Sequence, residues 1–271
     1  MTNAAKLLTV VLSLALLASL TMACTLPGLG GAVTEEETPV PPPPAEGTPE
    51  VPPSAEETPE APPPVELPFE MDVDALKDLN SYAYTFSFEG LSTTLGEVEH
   101  SSLHIEGQRQ TQPTRAEQLS FSSVSDGEPT STEFIYIEEQ NQMWVRDEGG
   151  EWEELPIVDP SMVSMFDAFS VFSWWNTLFT GDPEDAQYLG QEMMNGVEAH
   201  HYQAGQAADW GFAVGCTFAS VQDDIWVAVD GSFPVKRQFD AVGECEGETG
   251  EVHFLMEVSN VNQPVNISPP T

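Results

Sequence analysis

From Leu67 onward the chain is dominated by runs in which apolar and polar side chains alternate, the period of a strand that buries one face. The cleanest is "YAYTFSFEG": Tyr82, Tyr84, Phe86 and Phe88 fall on one side, and Ala83, Thr85, Ser87 and Glu89 on the other. The same period returns with Leu103 and Ile105, Leu119 and Phe121, Met143 and Val145, then Ile225, Val227 and Val229, and finally Val252, Phe254, Met256 and Val258. "EFIYIEE" is apolar on both sides, which predicts a strand near the centre of the sheet. Turn-forming clusters at "DEGGEW", "VDGSFP" and "GETGE" separate the runs. The pattern predicts an antiparallel meander of roughly eight to ten strands with one face that needs cover.

The cover is supplied by residues 161–179, "SMVSMFDAFSVFSWWNTLF". Asp159 is placed to cap a helix, Pro160 to begin it and Gly181 to close it. Within it Ser161, Ser164, Asp167, Ser170, Ser173 and Asn176 recur every third residue. Each step of three falls about 60° short of a full turn, so these positions wind around the cylinder and leave no face consistently polar. A helix apolar on nearly all sides is buried or meets a second apolar phase.

The remaining apolar run, "LLTVVLSLALLASL" at residues 7–20, follows a weakly positive start at Lys6 and has the length of a signal-peptide core. A membrane span needs about 20 apolar residues, and here Pro27, Gly28, Gly30 and Gly31 follow closely. Ala23 leads directly into Cys24, which resembles a bacterial lipobox, with Leu20 one place further from the cysteine than is usual. Such a cysteine receives a diacylglyceryl group and becomes the new amino terminus, so residues 1–23 read as a lipoprotein signal peptide and Cys24 as the lipid anchor. Residues 24–66 hold 13 prolines and nine glutamates with almost no large apolar side chains. That composition cannot bury enough surface to offset the entropy of ordering it and predicts an extended tether. With Cys24 acylated, Cys216 and Cys245 are left as one pair in an oxidising compartment, where a disulfide persists.

Residues 67–271 are one domain's worth of chain. They carry 36 acidic side chains and six basic ones, a formal charge of −30. This excludes nucleic acid as a partner and electrostatic docking on an anionic bilayer. No EF-hand spacing, P-loop, G-x-S-x-G elbow, H-E-x-x-H or Rossmann glycine pattern occurs, so the expectation is a protein without catalysis, metal or cofactor. In "EAHHY", a strand would send His200 and His201 to opposite faces, with Tyr202 beside His200, so the two histidines cannot share one metal from that strand.

The order of segments "LNSYAYTFSFEG", "IYIEEQNQMWVRDEGGEWEEL", "LGQEMMNGVEAHHY", "DIWVAVDGSFPVKRQ" and "NVNQPVNISPP" resembles the LppX/LprG-type bacterial lipoproteins, part of the larger LolA/LolB-like group. Ser81 and Tyr82 stand where these proteins end a strand-helix opening, and Gly190, Glu192, Asn195 and Gly196 match an edge that reads glycine, glutamate, asparagine-glycine. The resemblance implies an α+β fold: a strongly curved antiparallel half-barrel covered on its concave side by helices, with an apolar cavity that carries acyl chains. It implies a lipid or a lipidated molecule as partner, an envelope location outside the cytoplasmic membrane and no chemistry. The acidity and the two domain cysteines depart from the type.

The expected lining is the aromatic face of Tyr82, Tyr84, Phe86 and Phe88 together with Phe166, Phe169, Phe172, Trp174 and Trp175 of the covering helix. The competing expectation is a surface interaction or sensor module whose sheet is filled by its own helix.

Overall fold

The computed structural model describes residues 67–94, 97–125, 127–157, 163, 175, 186–204, 216–245 and 247–270. They form eleven strands: β1 (Ser81–Thr94), β2 (Glu97–Gln110), β3 (Ala116–Ser125), β4 (Glu128–Ile137), β5 (Gln142–Asp147), β6 (Glu153–Pro156), β7 (Gln187–Met194), β8 (Val197–Gln203), β9 (Cys216–Ala228), β10 (Pro234–Cys245) and β11 (Glu248–Ser259). All belong to one curved, unclosed sheet in the order β6-β5-β4-β3-β2-β1-β11-β10-β9-β8-β7, and every neighbouring pair is antiparallel. The strand count exceeds the expected eight to ten, because the short β6 and the hairpin of β7 and β8 complete the two edges.

The meander runs outward from β1 to one edge at β6, crosses to the opposite edge at β7, and returns inward until β11 pairs with β1. Residues 157–186 make that crossing. Val163 and Trp175 within it are helical, and both contact the face that carries Tyr82, Tyr84 and Phe86. Trp175 is 1% exposed. The rest of the expected helix at 161–179, with Phe166, Phe169, Phe172 and Trp174, lies outside the described residues, as do Cys24, the signal segment and the tether. Among the described residues no helix is long and apolar enough to cross a membrane.

Period-two alternation sorted the two faces correctly. Tyr82, Tyr84, Phe86, Ile105, Leu119, Met143, Ile225, Val227, Val252, Phe254, Met256 and Val258 all join one core on the inner face. A short 3-10 helix (Val73–Asp78) precedes β1, capped by the Asp72 carboxylate on the Asp74 N–H, and seats the wholly buried Leu76 in the same core. Asp72 donates its own N–H to the Ser232 carbonyl at 2.8 Å, tying this opening to the β9–β10 turn.

"EFIYIEE" is not central: its apolar part lies in β4, third from the β6 edge, and the centre is β1. Its two-sided apolarity has another cause. Phe134 and Tyr136 face the inner core, whereas Ile135 and Ile137 join Ala116 and Trp144 in a second cluster on the outer face, covered by Trp152 and by Ile267 of the C-terminal tail. The tail is led there by the N–H of Asn262 on the Ser81 carbonyl and the Ser81 hydroxyl on the Gln263 carbonyl. The turn expected at "GETGE" falls at its first residue, Gly247, while Glu248 to Glu251 are already strand.

Gly107 stands opposite Tyr84 in the β1–β2 ladder, and a Cβ there would lie 2.1 Å from the tyrosine ring. The ring occupies the space that any side chain at this position would need. Gly107→Ala is expected to destabilise the domain by about 1–3 kcal/mol through overpacking, lowering the urea midpoint without altering the slope. An unchanged midpoint would show that the ring is not held on this glycine.

Candidate functional site

The ladder registers divide the inner face into rows. At the end where β1 begins, Tyr82 pairs with Arg109, Arg109 with Glu117, Glu117 with Tyr136 and Tyr136 with Met143. The next row runs Val258, Tyr84, Gly107, Leu119, Phe134. Then come Met256, Phe86, Ile105 and Phe121, and after them Phe254, Phe88, Leu103 and Ser123. On β1 to β3 the face thus changes from aromatic and charged at one end to apolar along the middle.

On β1 to β3 burial falls along the same axis, while on β10 and β11 Phe239, Ala241, Val252 and Phe254 stay buried. Tyr82, Tyr84 and Phe86 are at most 3% exposed, whereas Phe88, Leu103 and Phe121 are only half-buried although their side chains project from the same face. The expected lining residues therefore divide. Tyr82, Tyr84, Phe86 and Trp175 are packed into the core, and Phe88 borders a part of the face that the described residues leave partly open. Apolar surface left uncovered on a concave face is the usual mark of a ligand or partner site.

Two sets of charged groups interrupt this face. Arg237 and Asp223 form a bidentate pair, with Nε to Oδ1 at 2.9 Å and Nη2 to Oδ2 at 2.7 Å, and both side chains are sealed from solvent. Burial pushes the Asp223 carboxyl up and the Arg237 guanidinium down, and their mutual hydrogen bonds oppose both shifts. The pair is neutral and closed.

The second set is built differently. Glu117 is wholly buried, and its Oε1 accepts the Tyr84 hydroxyl at 3.0 Å while its Oε2 accepts Arg115 Nη2 at 3.0 Å. Arg109 Nη1 stands 3.8 Å from the same oxygen, and the Arg115 guanidinium lies 5.4 Å from the centre of the Tyr136 ring. Two cations thus attend one carboxylate. Burial pushes the Tyr82 phenol beside Arg109 up to about 12, and it drives Tyr84 well above the ordinary tyrosine range, so both hydroxyls remain protonated donors at neutral pH.

None of these five ionic residues was expected at the site from the sequence, yet the four that lie in strands leave a signal there. Arg109, Glu117, Asp223 and Arg237 occupy the inward parity of their strands, the parity of Ile105, Leu119, Ile225 and Phe239. A charge on the apolar phase of an alternating run marks a buried ionic group.

The histidines divide as the strand reading required. In β8, His200 faces inward between Tyr188 and Tyr202, while His201 lies outward, stacked on Trp226 at 4.3 Å, with Glu192 3.3 Å from Nδ1 and Asp224 2.9 Å from Nε2. On the outer face of β10 and β11, hydrogen bonds to Asp240 and Glu251 raise the His253 imidazole above its ordinary value. Burial would raise the Asp240 carboxyl, but the bonds from His253 and Gln238 bring it below the usual carboxylate range. Among the described residues no three His, Cys, Asp or Glu side chains gather closely enough to hold a metal ion.

Comparison with known proteins gives likenesses of fold. No family model matches the chain, and no curated protein matches it. Among solved structures it is similar to LprF from Mycobacterium bovis, 13% identical over 73% of this chain and 92% of that one, with a TM-score of 0.39. A DUF1329 family protein from Desulfovibrio piger is 15% identical over 73% of this chain and 96% of that one, with a TM-score of 0.23. A domain described as an outer membrane lipoprotein-sorting protein, from Vibrio parahaemolyticus, is 8% identical over 68% of this chain and 87% of that one, with a TM-score of 0.20.

The backbone register sets Cys216 of β9 directly opposite Cys245 of β10. Facing residues in an antiparallel ladder have Cα atoms about 4.5–5.5 Å apart, within the range a disulfide spans. We propose that the two are joined, closing a loop of about 30 residues for roughly 3–4 kcal/mol by chain entropy. Non-reducing peptide mapping of secreted protein is expected to recover them as one linked pair; two free thiols would refute the bridge.

Proposed function

We propose that the chain is an extracytoplasmic lipoprotein, anchored through Cys24, whose half-barrel binds the acyl chains of a lipid or lipidated molecule on its inner face without catalysing a reaction. The observation that carries this reading is the half-burial of Phe88, Leu103 and Phe121 on the inner face, beside the closed core around Tyr84 and Phe86. A sheet that served only as a scaffold would bury these side chains against its cover. Apolar association is worth about 0.8 kcal/mol per methylene removed from water, so a chain of a dozen or more methylenes laid along this face would bind strongly.

A filled interaction or sensor module is the second reading, and Trp175 favours it. Its indole is inserted beneath the described core with 1% exposure, so at that point the protein fills its own face. The two readings part at Phe88, where cover is incomplete.

Phe88→Glu places a carboxylate on the partly open face while leaving the closed core around Tyr84 and Phe86 intact. The full-length protein is expected to retain bound lipid, identified by mass spectrometry of organic extracts, and Phe88→Glu to lose most of it with a melting temperature close to wild type. Lipid-free wild-type protein that takes up no phospholipid, glycolipid or acylated peptide while folded would defeat the carrier reading in favour of the filled module.

The anchor rests on the apolar run that ends at Cys24. Cys24→Ser is expected to abolish incorporation of labelled fatty acid and to leave the leader uncleaved. Persistent labelling would remove the anchor from the proposal. Once processed, two or more acyl chains hold the protein stably where one would give marginal attachment.

A further inference from the structure

The sheet is unclosed, and among the described residues no strand pairs with the outer side of β6 or of β7. The two edges are built differently. β6 is four residues long, and its sequence, "EELP", holds two glutamates and a proline, features by which an edge discourages further pairing. β7 is eight residues long, reads "QYLGQEMM" and has one charged side chain, Glu192. That carboxylate is turned back onto the sheet: its Oε1 accepts Trp226 Nε1 at 2.6 Å and stands 3.3 Å from His201 Nδ1. Of the four large apolar side chains that stand most exposed among the described residues, two belong to this one strand, Leu189 at 47% and Met193 at 65%. Leu189 is the extra residue of a bulge, because the register passes from Tyr188 opposite Tyr202 to Gly190 opposite His201. From Gly190 to Met194 the ladder on β8 is uninterrupted, so the outer side of this half offers a regular row of N–H and C=O groups.

An edge without free charge and with exposed apolar side chains is a template for another extended chain. Main-chain bonds supply affinity for any such chain, so charge decides which one docks. Residues 67–271 carry a formal charge of −30, and the exposed Glu198 pairs with Met193 in the β7–β8 ladder, which sets an anion beside the apolar side chain on the same face. A second copy of this chain would bring the same negative field and be repelled, whereas a basic segment is attracted. A lysine placed opposite Met193 lays its stem along the thioether and carries its ammonium toward Glu198. We propose that β7 is a docking edge for an extended segment of a partner protein in which basic and apolar residues alternate, added to the sheet as a further strand along Gly190–Met194. This surface lies apart from Phe88, and the proposal does not depend on acyl binding.

The test is fluorescence anisotropy of a dye-labelled peptide the length of β7, alternating lysine and valine, titrated with the full-length protein. One control peptide has glutamate in place of lysine. The other keeps the lysines and is N-methylated at every amide, so that it retains charge and loses its ladder donors. The lysine–valine peptide is expected to bind about tenfold or more tightly than either control. Leu189→Lys and Met193→Lys should each weaken its binding about tenfold, whereas Val124→Lys, which adds the same charge at an exposed site on β3, should leave it unchanged. Equal binding of the methylated peptide would show ionic coating without strand addition and overturn the proposal, as would a Met193→Lys protein that keeps its melting temperature and binds like wild type. Concentration-dependent dimerisation in sedimentation velocity, abolished by Met193→Lys, would assign the edge to a second copy of this chain instead. Failure of the lysine–valine peptide to bind the folded protein would remove β7 as a docking edge. Lipid retention is read separately, so the acyl-binding reading stands or falls apart from all of these outcomes.

Discussion

The pairing of β1 with β11 governs the molecule. Eight residue pairs, from Ala83 with Ser259 to Gly90 with Val252, join the first strand of the domain to the last at the centre of the sheet. A meander whose ends meet in the middle must have its midpoint at the edges, so the chain has to travel from β6 to β7 across the full width of the sheet. Residues 157–186 make that journey, and the two residues described between 158 and 185, Val163 and Trp175, pack against the inner face. Connectivity thus brings these two side chains to the apolar side. The same pairing is non-local, and a domain built on it has to close a very long loop before its central contacts form.

The outer face obeys a different economy of contacts. Near β3 to β5 it is apolar and covered by Ile267 and Trp152, whereas near β8 to β11 it is polar, with His201 on Trp226, Lys236 over the same indole and His253 held between Asp240 and Glu251. Lys236 Nζ stands 5.0 Å from the centre of the Trp226 ring, so the aromatic surface is screened from water by amphipathic side chains and needs no further layer. The convex side therefore closes itself by two local devices, a tail and a charged lattice. Only the concave side is left with apolar surface that nothing in the described chain fully covers.

Much of this was legible in the alternation of the chain, because a period of two leaves no freedom over which residues share a face once the strand exists. Tyr82 to Phe88 and Val252 to Val258 fell on the inner face for that reason alone. The place of each strand within the sheet was less legible. "EFIYIEE" was apolar on both sides, and two-sided apolarity records two-sided cover without saying what provides it. A tail more than a hundred residues away, ending in Ile267, supplied the second cover. The ionic residues of the inner face were passed over because charge was counted as a total, and a balance of −30 conceals six cations whose positions matter more than their number. The cysteine pairing rested on chemistry and compartment, and the register of β9 on β10 now adds the geometry.

The polar-to-apolar gradient along the inner face follows from how buried charge is tolerated. A sealed pair such as Arg237 and Asp223 satisfies its own hydrogen bonds, and it can sit among Ile225, Met256 and Phe239 without reference to anything outside the fold. The Glu117 set sits nearer the rim: the Arg109 and Arg115 side chains keep 15% and 17% exposure while the Glu117 carboxylate is wholly buried. It lies accordingly at the end of the sheet, where the rim admits partial exposure, and the tyrosines beside it bridge from charge to hydrocarbon by offering a ring on one side and a hydroxyl on the other. Moved two rows inward, to the level of Phe86, the same three ionic groups would be stranded in the core. The direction of the gradient along β1 to β3 is therefore set by solvation, with the charged groups at the rim and the hydrocarbon further along the strands.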